Sequence, residues 1–272
     1  MPTFSQTTFS SFWKRILQFG HAGNNGTPTG TTNIQSGDGV ATSLSLSDDV
    51  LSVQPVNDDG VAFGVKSKGG NSVLTVNTST SKVLLGASQV PPTNYAYFGQ
   101  SAFESASSGF LADTHYAIPF TMGNFGGITA NYAMGSSTSS SFNDTNPATS
   151  LTISDTAYGM VRTYWYVMDD ITIDAVKWLH AADAATGEDT AAHLMSYSVD
   201  IANGSTSGDL SSGVVVADGN SITNAGYEQI YYQSMSIQSA DVDAGKVILF
   251  TFASDTVNSD YSINATVKYH IR

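Results

Sequence analysis

Alternating apolar and polar positions between residues 44 and 86 predict a series of short β-strands. In four places two apolar side chains are separated by a single residue, the spacing that puts both on one face of a strand. The pairs are Leu51 and Val53, Phe63 and Val65, Leu74 and Val76, and Val83 and Leu85. Turn-forming segments such as residues 58–60 and 68–71 separate them, so we expect hairpins or a meander.

These short strands offer too few apolar side chains to form an independent core. Each contributes two or three, which cannot offset the conformational entropy that the segment loses on folding. Something else must therefore cover the apolar face. Self-association, with small sheets from several copies around a shared axis, is the economical solution, and packing against the C-terminal domain of the same chain is the alternative.

From Ile118 onward the apolar runs are longer and predict a second kind of β-structure. The expected strands cover residues 128–134, 150–153, 159–168, 171–180, 193–201, 213–217, 228–237, 246–253 and 261–271. Segments rich in Gly, Ser, Asn and Asp lie between them, and none of the runs has an extended helical period. The pattern predicts an antiparallel sandwich, most simply a jelly roll.

The N-terminal segment differs from both regions. Its large apolar residues, Phe12, Trp13, Ile16, Leu17 and Phe19, lie within eight positions, and Ser10 or Ser11 is placed to cap one or two helical turns over them. A linker rich in Gly, Asn and Thr follows to residue 39. We interpret the segment as a docking peptide for a groove on another protein, with packing on its own domain as the alternative.

Residues 91–117 form the most aromatic stretch, and we expect a hydrophobic collar between two domains rather than a ligand platform. One helical turn is expected near Phe103. The resulting division is an anchoring segment and linker at 1–39, a short-strand region at 40–90, an aromatic junction at 91–117 and a sandwich head at 118–272.

Charge and composition exclude several classes of function. The net charge is −13, with 20 Asp and 3 Glu among the acidic residues, and such a chain lacks the clustered cations that nucleic acid or an anionic membrane requires. The segment 1–34 carries +2 and the remainder −15. No cysteine is present, so disulfides and thiolate metal sites are excluded. No apolar run is long enough to span a bilayer, and membrane insertion is not expected.

No catalytic or cofactor motif is apparent. The five histidines are scattered singly, and no His-x-His or phosphate-binding glycine loop is present. The carboxylate pairs at 48–49, 58–59, 169–170 and 241–243 fall at predicted turns or strand ends, where Asp is a turn former. We therefore expect no enzyme activity, cofactor or metal, although calcium at 241–243 or 255–260 stays open. If the head binds a glycan, the expected contacts are the loops 143–146, 184–190, 203–208 and 218–227.

Several sequence segments resemble the shaft repeats of tailed-bacteriophage fibres. They are residues 44–53, 63–66, 73–77 and 82–86, and they cover roughly a sixth of the chain. Residues 13–18 are similar to N-terminal virion-attachment segments of marine phage appendage proteins. Residues 239–252 and 267–270 resemble the last two strands of phage jelly-roll heads, although Lys246 follows Gly245 where that pattern more often has Asp. At the level of fold this C-terminal segment is also similar to trimeric C1q-like and tumour-necrosis-factor-like jelly rolls.

The resemblance implies an all-β homotrimer located in a virion, with a slender shaft and a jelly-roll head for host attachment. Its partners would be two further copies of itself, another virion protein at the N-terminus and a host glycan or protein at the head. A trimeric capsid decoration protein is the first alternative. A polysaccharide-degrading tailspike is the second, which is weakened because no long β-helix is predicted.

Overall fold

A computed structural model describes most of the chain. The described residues are 17–19, 30–36, 40–47, 49–88, 91–104, 112–120, 147–150, 161–183, 186–199, 210–226, 228–256 and 260–272. They form two compact units, Met1–Pro92 and Thr93–Arg272, which we call the N-terminal and C-terminal units. All 13 excess negative charges lie in the C-terminal unit, because the N-terminal unit has five acidic and five basic residues.

The N-terminal unit contains two small antiparallel sheets. Its strands are β1 (Leu17–Phe19), β2 (Thr32–Ser36), β3 (Ala41–Leu46), β4 (Leu51–Val53), β5 (Phe63–Lys66), β6 (Ser72–Asn77) and β7 (Lys82–Leu85). Strands β1 to β4 form a four-stranded sheet in chain order, and β5 to β7 form a three-stranded sheet in chain order. Both are meanders, and the alternating pattern predicts β4 to β7, whereas β2 lies within the segment predicted as a linker.

The helical turns predicted over Phe12–Phe19 are wrong for the part that the structure describes. Leu17–Phe19 is strand β1, and its backbone pairs antiparallel with β2, with Phe19 opposite Ile34. The sheet offers an unpaired strand edge at β2, and this tertiary pairing outweighs a weak local helix preference. Phe12, Trp13 and Ile16 lie outside the described residues.

The C-terminal unit contains the longer strands. They are β8 (Asn94–Glu104), β9 (Tyr116–Ile118), β10 (Trp165–Tyr166), β11 (Ile171–Asp183), β12 (Asp189–Val199), β13 (Leu210–Asp218), β14 (Ile222–Thr223), β15 (Gln229–Ser234), β16 (Ser236–Ile237), β17 (Asp241–Val242), β18 (Lys246–Ser254) and β19 (Asp260–Ile271). A single 3-10 turn, Val161–Thr163, precedes β10. The described residues contain no α-helix, and none of them forms a helix able to cross a bilayer.

The strand order in these two sheets is that of a jelly roll. One sheet has the order β8-β19-β11-β15, and the other has β18-β12-β13 with β9 and β10 sharing the free edge of β18. Counted along the eight principal strands, the orders are 1-8-3-6 and 2-7-4-5, the alternation between sheets that defines the fold. The predicted all-β class with an antiparallel jelly-roll sandwich is therefore confirmed.

Large side chains from the two inner faces fill the space between the sheets. Trp178 of β11 is fully buried, and its ring centroid lies 6.3 Å from that of Phe250 and 6.0 Å from that of Phe252 on β18. A register shift between Ile173 and Ala175 in β11 marks a β-bulge. The bulge moves the buried positions from odd to even numbers, so that Trp178 points inward.

The outer faces of the two sheets differ. On the β18 sheet a second cluster, including Met195, Tyr197 and Leu249, is buried, and the Tyr197 hydroxyl donates to the carbonyl of Ala148 at 2.8 Å. On the β8 sheet, Tyr97 and Leu179 remain exposed on the outer face. One outer face is thus covered by the chain itself, whereas the other meets solvent in a single chain.

Two further local predictions differ from the structure. The helical turn expected near Phe103 is wrong, because Phe103 lies in β8 opposite Tyr261 of β19. The strand expected at 159–168 is reduced to the 3-10 turn and β10, which pairs with only two residues of β18. The strand expected at 128–134 lies outside the described residues.

Candidate self-association surface

Six apolar side chains share one face of the three-stranded sheet. In the register of the sheet, Phe63 lies opposite Val76, which lies opposite Val83, and Val65 lies opposite Leu74, which lies opposite Leu85. Residues directly opposite in a ladder point to the same side. We call this set, Phe63, Val65, Leu74, Val76, Val83 and Leu85, the shaft face. All six residues are among those that the sequence pattern predicts to be buried in a shaft.

The shaft face is not covered by the described part of its own unit. Phe63, Val65, Val83 and Leu85 on the two outer strands are each 42–46% exposed. Leu74 and Val76 on the central strand are half-buried, because neighbours flank them on both sides. A continuous apolar face of this kind on a small sheet is a typical association surface.

The opposite face of the same sheet is partly covered. Gly64 lies opposite Thr75, and Thr75 lies opposite Leu84. Thr75 is 1% exposed, and a Cβ atom on Gly64 would lie 3.1 Å from Cγ1 of Val61. The chain before β5 therefore packs on part of this face, where Gly64 remains exposed and Leu84 is half-buried.

The four-stranded sheet repeats the pattern on a smaller scale. Leu44 lies opposite Val53 and Leu46 opposite Leu51, so four apolar side chains share one face. Leu51 is 65% exposed, and Val53 is half-buried. All eight residues predicted for the shaft therefore lie in paired strands, in two apolar groups on two sheets.

The two sheets do not carry the negative charge of the chain. None of the shaft-face residues is ionisable, and the N-terminal unit as a whole has no net charge. Several copies of a neutral unit can approach one another without the repulsion that the C-terminal unit would produce. The charge distribution thus permits association through this unit.

Two of the carboxylate pairs make structural contacts in the described residues. Asp59 Oδ1 accepts from the backbone N–H of Val61 at 2.7 Å, which closes a turn. Asp241 and Asp243 lie 3.4 and 2.7 Å from the guanidinium of Arg272. No group of three or more His, Asp or Glu in the described part of the chain is arranged to hold a metal ion.

Two histidines that are far apart in sequence meet in the C-terminal unit. The rings of His115 and His193 pack edge to face, with centroids 4.8 Å apart. Burial, and secondarily the charge of His193, lowers the pKa of His115 to about 3. The spacing of histidines gave no sign of this pair, because it depends on β9 and β12 both pairing with β18.

A buried polar network lies at one end of the sandwich. The Tyr261 hydroxyl donates to Glu188 Oε2 at 2.6 Å and lies 2.9 Å from Ser254 Oγ. His180 Nε2 lies 3.4 Å from both Asn224 Oδ1 and Thr190 Oγ1, and burial lowers its pKa to about 4. His180 is therefore neutral at pH 7, and its ring stacks between those of Trp178 and Tyr231.

Only part of the predicted anchor lies within the residues that the structure describes. Leu17 and Phe19 lie in β1, whereas Phe12, Trp13 and Ile16 lie outside the described residues. Comparison of the chain with protein-family models and with curated proteins found no match.

Proposed function

We propose that this chain is a structural virion protein, a homotrimeric fibre-like or spike-like appendage of a tailed phage. Its N-terminus anchors it to the particle, and its jelly-roll unit projects for host attachment. The shaft face supports the proposal, because its six aligned side chains are all apolar and the described part of the N-terminal unit leaves the four outer ones partly exposed. The same strands contain the sequence segments that resemble phage shaft repeats.

Association offsets the energetic deficit of the small sheets. Burying the exposed half of an aliphatic or aromatic side chain is worth about 1 kcal/mol. The four most exposed shaft-face residues, Phe63, Val65, Val83 and Leu85, therefore contribute about 4 kcal/mol for each copy that joins. A sheet of three short strands is only marginally stable alone. The free energy of burying the shaft face therefore decides whether the shaft is frayed or ordered.

The proposal assigns three copies to one axis. A three-stranded sheet from each copy can turn its apolar face inward, and closed rotational symmetry buries the same face of every copy. The acidic C-terminal units then keep the assembly soluble and separate from neighbouring assemblies. The work of the molecule is mechanical and adhesive rather than catalytic.

Immunogold electron microscopy of virions that carry this chain tests its place in the particle. An antibody against residues 93–272 should label projections from the particle at a distance from its surface. Label spread evenly over the capsid shell, together with stabilisation of empty capsids against heat, would overturn the appendage proposal and favour a decoration protein. Absence of label from purified virions would reject both.

A further inference from the structure

The outer face of the β8-β19-β11-β15 sheet does not have the composition of a face that meets water. Five large side chains are exposed on it: Tyr95, Tyr97, Leu179, Ile230 and Tyr232. In a sheet with one solvated face, the outward positions are normally polar. The outer face of the other sheet is buried beneath its own chain, whereas the described residues of the C-terminal unit leave this face exposed.

The register of the sheet places these side chains next to one another. Leu179 of β11 lies opposite Tyr232 of β15. Two positions earlier on β11, Lys177 lies opposite Thr266 of β19, which in turn lies opposite Tyr97 of β8. Residues directly opposite in a ladder point to the same side, as do residues two apart on one strand. The face therefore runs without a break across all four strands.

The face is charged at its two ends and uncharged in the middle. Lys177 and Lys268 lie towards one end, and neither forms an ion pair with a residue that the structure describes. Three acidic residues occupy a single register row at the other end: Glu104, Asp260 and Asp183. The outward positions between these ends, such as Leu179 and Asn264, are uncharged.

The charge pattern selects a second copy of the chain as the partner. The lysine end of one copy complements the acidic end of another, and the uncharged middle contributes exposed tyrosine rings, which are enriched in protein interfaces. An acidic polysaccharide or a nucleic acid would instead meet the acidic row, on a unit that has 18 acidic and 5 basic residues.

We infer that this face joins the C-terminal units of neighbouring copies, with the lysine end of one unit against the acidic end of the next. Because each copy uses two different ends, the contact is heterologous, and such contacts close into a ring around a rotational axis. The inference rests on the proposed function and deepens it, since the ring needs the same three copies as the shaft. At the contact it also offsets the repulsion between units that each carry a net charge of −13.

Charge reversal at one end of the face tests the contact. Lys177→Glu should raise the concentration at which the trimer of the full chain dissociates at least about tenfold, because carboxylates would then face one another between copies. Arg162→Glu is the matched control, since Arg162 is exposed in the 3-10 turn off this face and the net charge changes equally. It should dissociate as the wild type does. Sedimentation velocity at serial dilutions compares the three proteins, and thermal unfolding checks that each sandwich persists.

A second reversal identifies the partner as another copy. Asp183→Lys added to Lys177→Glu should restore the dissociation of the wild type. The two positions are six residues apart on β11, a distance of about 20 Å, so the restored charge pair can form only between copies.

The outcomes separate this contact from the shaft. Equal dissociation of Lys177→Glu and Arg162→Glu overturns the inference, as does failure of the second reversal, and the appendage proposal then stands without it. A trimer that Lys177→Glu weakens and Val65→Asp does not would support this contact and reject the shaft. A wild type that is monomeric at micromolar concentration would reject both.

Discussion

Leu74 and Leu85 lie directly opposite each other in the β6–β7 pair, on the sheet face that the described part of the N-terminal unit leaves open. Val65 extends this row across β5, and Phe63, Val76 and Val83 form a parallel row. Two cross-strand rows of apolar side chains, with no charge among them, make a flat surface that water solvates poorly. The predicted association depends on this surface.

A charge placed on the shaft face should separate the copies. Val65→Asp would put a carboxylate into the shared core, where an unpaired charge costs several kcal/mol, so we expect the mass in solution to fall to that of a monomer. Val56→Asp is the matched control, since Val56 is 94% exposed in the same unit and off the sheet. Static light scattering of both variants checks this expectation. Retention of the wild-type mass by Val65→Asp would show that association does not use this face.

The N-terminal residues should be needed for attachment to the virion and not for association. The double variant Trp13→Ala, Ile16→Ala removes two of the large apolar side chains of the predicted docking peptide. We expect it to keep the mass of the wild type and to be missing from purified virions. Quantitative immunoblotting of virions grown with each version measures incorporation, and normal incorporation of the variant would contradict the anchor prediction.

Stability should fall below pH 6.5 because two buried histidines resist protonation. Burial lowers the pKa of His115 to about 3 and that of His180 to about 4, from 6.5. In the unfolded chain both take up a proton as the pH falls through 6.5, while the folded chain keeps them neutral to about pH 4. Their stabilising contribution is therefore complete above pH 6.5, and each loses about 1.4 kcal/mol per pH unit as the pH falls toward 4.

Urea unfolding of the wild type and of His180→Gln between pH 7 and 4.5 measures this effect. Titration of the carboxylates contributes equally to both proteins, so the difference between their slopes isolates the histidine. We expect the variant to lose about 1.4 kcal/mol per pH unit less than the wild type over this range. Parallel pH profiles would show that His180 is protonated in the folded state.

Removal of one hydroxyl should destabilise the polar end of the sandwich. Tyr261→Phe takes away the donor that lies 2.6 Å from the buried Glu188 carboxylate, and a buried acceptor left without its donor costs about 1–3 kcal/mol. Tyr166→Phe removes an exposed hydroxyl and should change the free energy of unfolding by less than about 0.5 kcal/mol. Urea unfolding at pH 7 compares the two, and equal values would contradict the importance of the network.

Local alternation predicted most of the fold. In residues 163–168 buried positions alternate with half-buried or exposed ones, as the pattern indicates, and the strands expected at 246–253 and 261–271 match β18 and β19 within one residue at each end. Strand position follows from period-two hydrophobicity, which is a property of neighbouring residues. The order of the strands in the jelly roll depends instead on which of the long strands pair with each other.

Contacts between distant segments could not be predicted in the same way. The pairing of Phe103 with Tyr261, and of Phe19 with Ile34, depends on a partner strand that the local sequence does not identify. The hydrogen bond between Gln233 and Trp178 was not predicted either, because the two residues lie opposite each other on the neighbouring strands β15 and β11. Register, rather than composition, brings these groups together.

The solution mass of the purified wild-type chain, measured by light scattering at micromolar concentration, tests the central claim most directly. A trimer held by the shaft face predicts three times the chain mass of 28.6 kDa. A mass of 28.6 kDa would contradict the proposal, and the protein would then be a single-chain jelly roll whose short sheets are stabilised in some other way.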